Sequence, residues 1–143
     1  LRQADGTAFE QRFGINYPPV QNGELVTVFP GETIRITGEI VDDKLINLVS
    51  VGPEHDPAVT VVFEFNQTDD APGMTLNVTN PFSKPLKYRL GMQVLDREEL
   101  FSTSSCPVIA GGQAFEMWPH PIFQLAVMDF HFLPEDNPSM RCE

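Results

Sequence analysis

Strict apolar–polar alternation recurs in four separate stretches of this chain, and it is the feature that most restricts the fold. In ETIRITGEI the apolar set is Ile34, Ile36 and Ile40, with Thr33, Arg35, Thr37 and Glu39 on the other parity. AVTVVFEFN sets Val59, Val61, Phe63 and Phe65 against Thr60, Glu64 and Asn66. MTLNVTN sets Met74, Leu76 and Val78 against Thr75, Asn77 and Thr79. LKYRLGMQV sets Leu86, Tyr88, Leu90, Met92 and Val94 against Lys87, Arg89 and Gln93. Side chains alternate across a strand, so period two with one wet face predicts antiparallel strands laid over a core. ELVTVF and LINLVSV read as weaker strands, and DREELF (96–101) as the one helical turn.

Turn formers separate these segments: FPGE at 29–32, VDD at 41–43, GPEHDP at 52–57, TDDAPG at 68–73 and NPFSKP at 80–85. Thirteen prolines and ten glycines leave pieces of ordinary strand length. IFQLAVMDFHFL (122–133) is apolar on both parities, as in a strand covered on both faces. Two prolines just before it, and its β-branched and aromatic content, favour a strand over a buried helix. Residues 1–23 show no period and read as an arm packing Phe9, Phe13 and Tyr17 onto a domain spanning 24–143. At 143 residues a single domain is expected.

The segment 74–94 resembles a hairpin of bacterial immunoglobulin-like and fibronectin-like modules: a polar-faced strand ending in Asn, a short Pro-containing turn and an aliphatic–aromatic return strand. The resemblance covers about 20 residues, and the Cys…Trp…Cys order of antibody domains is absent. It implies an all-β, single antiparallel β-sandwich of immunoglobulin-like type, here with about seven to nine strands. It implies no activity, because that superfold hosts many.

Nine basic residues against twenty acidic give a net charge of −11, which opposes a nucleic-acid backbone or an anionic membrane face. No apolar run is long enough for a transmembrane helix. The chain begins at Leu1 rather than Met, so a cleaved export signal, or a lipid anchor upstream of residue 1, fits the sequence. The two cysteines, Cys106 and Cys142, are not spaced as a metal pair; bridged, they would tie down the Pro-rich tail and contribute about 3–4 kcal/mol. A bridge points to the periplasm, or to an extracellular or surface-attached protein.

No nucleophile-elbow, zincin, Walker or dinucleotide motif occurs. A catalytic set would have to combine STSSCP with His55, His120 or His131, and a non-enzyme is expected. AFEMWPHPIF (114–123) holds the single Trp. Pro119 and Pro121 force extended backbone on Trp118 and His120. Trp118 is therefore expected first as a cap on the core. Second, with His120, Met117 and Phe115, it is a candidate binding platform for a partner. MWPH and MDFH also offer Met117, His120, Met128 and His131 as alternative copper ligands. Met128 and His131 share a face only across a bulge. The sequence thus predicts a non-catalytic exported module binding a protein or other partner, with a copper-binding periplasmic protein and a carbohydrate-binding module as alternatives. Paired acids such as Asp42–Asp43, with Glu54 and Asp56, are a weaker calcium candidate.

Overall fold

The computed structural model describes residues 19–68, 73–94 and 100–134. Ten strands run through them: β1 Val20–Gln21, β2 Leu25–Val28, β3 Thr33–Val41, β4 Lys44–Val51, β5 Val61–Gln67, β6 Met74–Thr79, β7 Leu86–Val94, β8 Phe101–Thr103, β9 Gln113–Trp118 and β10 Ile122–Phe132. Every pairing is antiparallel. No α-helix occurs among the described residues, and no helix there is long and apolar enough to cross a membrane. The all-β antiparallel expectation is met.

The ladder runs β8–β7–β10–β4–β3–β5–β6–β9, and β2, with β1 beyond it, also joins β10. In a flat sheet β5 and β7, four strands apart on this path, would be separated by about 19 Å. Yet the Phe63 and Tyr88 rings are 6.3 Å apart, and Phe63 also meets Phe130 of β10 at 6.0 Å. The ladder therefore turns back, and its two halves enclose one core. Val61, Phe63, Phe65, Met74, Leu76, Val78, Leu86, Tyr88 and Leu90 are buried on the parity that the alternation assigns. β10 pairs along one edge with β7 and along the other with β2 and, at His131–Lys44, with β4. Its two-sided apolar pattern is that of a central strand.

The 74–94 segment is not a hairpin. β6 pairs with β5 and β9, whereas β7 pairs with β10 and β8, so residues 80–85 carry the chain from one half of the ladder to the other. The crossover is organised by Asn80, which is fully buried. Its Nδ2 donates to the carbonyl oxygens of Lys84 (2.9 Å), Val108 (3.2 Å) and Ile109 (3.3 Å), and its Oδ1 accepts from the Phe82 amide (2.9 Å). A side chain that satisfies four backbone groups replaces the ladder bonds a hairpin would have made.

Three residues depart from the expected parity, each for a local reason. Val59 belongs to a 3-10 turn at Pro57–Val59 and is exposed. Thr60, expected on the wet face, is only 4% exposed because its hydroxyl donates to the Asp56 carbonyl at 2.6 Å and closes that turn. Asp56 Oδ1 accepts from the Ala58 amide, so this acid is a cap. Ile40 lies 55% exposed on the β3–β4 hairpin, whose two-residue turn places Asp42 and Asp43 at φ 51° and 61°. That hairpin carries a bulge: Thr37 faces Val49 but Glu39 faces Ile46. Asn47 there has φ 52°, and Leu45 and Leu48, three apart, are both buried. A Cβ on Gly38 would lie 2.7 Å from the Ile46 carbonyl oxygen, which is why the position opposite the bulge is glycine.

The expected arm is in part a strand, since its Val20–Gln21 pairs with β2. Phe9, Phe13 and Tyr17 lie outside the described residues, as do Asp69, Asp70 and Cys142, and with Cys142 the expected bridge to Cys106. Most of the expected helical turn also lies outside them, and its last residue, Phe101, opens β8.

Candidate functional site

Residues 114–118 belong to β9, one end of the ladder. Pairing with β6 sets its parity: Trp118 faces Met74, Glu116 faces Leu76 and Ala114 faces Val78, all buried partners. Phe115 and Met117 therefore stand on the outer face opposite Asn77 and Thr75, and are 68% and 73% exposed. The strand partly inverts hydropathy: its acid is inside, and two of its three large apolar residues are outside. Asn77 Nδ2 donates to Gln113 Oε1 at 3.2 Å beside them.

Trp118 is half-buried against the core, its ring edge-on to Phe65 at 6.4 Å. Its Nε1 donates to Thr103 Oγ1 at 3.2 Å. This is the cap geometry, with the indole's polar atom satisfied. His120 is half-buried on the connection to β10, its Nδ1 3.5 Å from the Pro121 carbonyl oxygen. Of the four platform residues, only Phe115 and Met117 share one exposed face.

Trp118 and Glu116 reach toward the other end of the ladder. Glu116 Oε1 accepts from the Cys106 amide at 2.6 Å, just beyond β8. Ser105 Oγ donates to the Tyr88 carbonyl at 2.5 Å, and Lys87 Nζ donates to the Ser105 carbonyl and, at 2.9 Å, to its Oγ. The two ends are thus joined by side chains where backbone ladder bonds are not made. Glu116 is 8% exposed, and its Oε2, like the Tyr88 hydroxyl, is enclosed without a hydrogen-bond partner. Burial pushes the Glu116 carboxyl up, opposed by the Cys106 amide and the Lys87 charge. Burial, reinforced by the Glu116 charge, also pushes the Tyr88 phenol up.

The four Met and His residues are not brought together. Met117 and His120 lie before the start of β10, and Met128 and His131 lie near its end; the strand between rises about 30 Å. A bulge between Met128 and His131, with Asp129 at φ 56°, does put that pair across an irregular register. His131 Nδ1 lies 2.9 Å from the Asp129 carbonyl oxygen, and the Asp129 carboxylate pairs with Arg89. No group of three or more His, Cys, Asp or Glu placed to hold a metal occurs among the described residues. Ser105, the buried serine of STSSCP, bonds to Lys87 and the Tyr88 carbonyl rather than to a histidine.

The same bulge opens a cleft of about 520 Å³ between β2, β4 and β10, rimmed by Asn22, Glu24, Lys44, Asn47 and Asp129. Asn22, Asn47 and Asp129 all have left-handed backbones (φ 55°, 52° and 56°). Nothing in the alternation signals this cleft, since it comes from two bulges and a turn; the Asn-Gly pair at 22–23 was its only mark in the sequence.

No family model, curated protein or solved structure matches this chain.

Proposed function

We propose that this protein is a non-catalytic, exported module of immunoglobulin-like sandwich type that binds a protein partner through the outer face of β9. The observation that carries the reading is the exposure of Phe115 and Met117 side by side on a strand whose inward positions hold Glu116 and Trp118. Large apolar side chains set outward among polar neighbours are what an interface core uses, and aromatic and Met residues are enriched there. β9 is a short strand at the end of the ladder, tied by side chains, so the face is presented on a fixed support.

Export is supported by Cys106, which is not a free thiol. A Cys106–Cys142 bridge would fit a periplasmic, extracellular or surface-attached location. The copper reading loses support from the separation of Met117 and His120 from Met128 and His131 along β10. The carbohydrate reading loses the indole platform, because Trp118 is engaged with Phe65 and Thr103.

The test is affinity capture from an extract of the exported fraction of the source cells, using wild type and a Phe115→Ser/Met117→Ser variant. A partner retained by wild type and lost by the variant, with both proteins equally stable, is the expected outcome. A partner retained equally by both would remove β9 from the interface. A bridged wild-type protein yields no thiol when denatured without reductant; two thiols would remove the case for export.

A further inference from the structure

We propose that the Glu116 carboxyl is a pH-sensitive latch closing the seam between β8 and β9, fastened when the carboxyl is neutral and released when it ionises. The two ends of the ladder meet without backbone pairing, and two side-chain bonds hold them: Glu116 Oε1 to the Cys106 amide and Trp118 Nε1 to Thr103 Oγ1. Both side chains lie on the inward parity of one strand, two residues apart. Loosening one therefore loosens the other.

Glu116 is almost fully buried, and one of its oxygens has no partner. Protonated, that oxygen carries no charge, and Oε1 still accepts from Cys106. Ionised, the group keeps a buried charge with half its acceptor capacity unmet, which is costly away from water. Opening the seam to water relieves that cost.

Among the described residues, few charged and titratable groups act on Glu116. From β7 come Lys87, which favours ionisation, and Tyr88, whose neutral hydroxyl is itself unpartnered. The segment after β8 contributes the Cys106 amide, and Leu76 of β6, directly opposite, contributes no charge. Lys87 Nζ donates to Ser105, and its charge lowers the cost of ionisation without outweighing burial.

The direction follows from burial. The folded carboxyl holds its proton to higher pH than the unfolded one, so the folded state binds more protons across that interval. The latch's contribution is full below the unfolded carboxyl's range and falls as pH rises through the folded one.

The single tryptophan sits on the seam and is its reporter. Fluorescence of the whole chain is followed from pH 4 to 9, with far-ultraviolet circular dichroism confirming the fold. Wild type is expected to show a reversible red shift of Trp118 emission as pH rises. Glu116→Gln, which keeps the shape and the acceptor but cannot ionise, is expected to lose it. Lys87→Gln, which removes the favouring charge, is expected to move the midpoint to higher pH. A flat wild-type profile, the same transition in Glu116→Gln, or an unmoved or lowered midpoint in Lys87→Gln would each overturn the latch. Should Glu116→Gln fail to fold, the Lys87→Gln midpoint decides alone.

Discussion

The centre of the molecule and its β8–β9 seam are built on opposite rules. In the centre, Phe63, Tyr88 and Phe130 meet edge-on or tilted across the core, and alternating neighbours on β5, β6 and β7 are buried to completion. Stability there comes from apolar area removed from water and from close packing. At the seam a carboxylate and an indole N–H bridge the gap, a serine and a lysine brace its β7 side, and Phe115 and Met117 are turned to solvent. The comparison teaches that one strand, β9, can spend its inward positions on joining the halves and leave its apolar ones free.

The largest effects belong to the centre. Phe63→Ala and Leu90→Ala each remove a buried side chain and should cost about 2–5 kcal/mol in urea unfolding. Losses below about 1 kcal/mol would mean the two halves do not share this core.

Asn80→Ala tests the crossover that replaces a hairpin. It removes the acceptor of the Phe82 amide and the side-chain donor to the Lys84, Val108 and Ile109 carbonyls, of which Val108 and Ile109 keep the Leu86 and Gly112 amides. A buried polar group left unsatisfied costs about 1–3 kcal/mol. A stability change near zero would mean the 80–85 segment is held by something else.

Thr60→Ala should be smaller, about 1 kcal/mol, because one hydroxyl bond to the Asp56 carbonyl is lost. It separates a buried cap from the wet-face residue that alternation alone would make of Thr60. An unchanged denaturation midpoint would restore the wet-face assignment.

Much of the centre was legible because burial there follows parity. The segments at 61–67, 74–79 and 86–94 repeat period two without interruption, and the two-sided apolar run at 122–132 marked a central strand. Departures came where backbone irregularity or a polar side chain overrode hydropathy. The bulge at Asn47 buried Leu45 and Leu48 together, and Asn80 turned an apparent hairpin into a crossover. β9 was hardest to read. Its sequence offers Phe115, Met117 and Trp118 as equally apolar, and the choice among them is made by Leu76 and Thr103, distant in sequence, which receive Glu116 and Trp118. The cluster 115–120 was legible as a candidate, but which of its members face out was not.

The parity of β9 decides both the seam and the exposed face, and the unfolding free energy of Met117→Lys tests it most directly. Lysine adds no acidic charge to a chain already at −11, so the substitution probes burial rather than net repulsion. With Met117 outward at 73% exposure, unfolding free energy should change by no more than about 0.5 kcal/mol. A loss of about 3 kcal/mol or more, as expected for an unpaired charge forced into a core, would place Met117 inside and contradict the account.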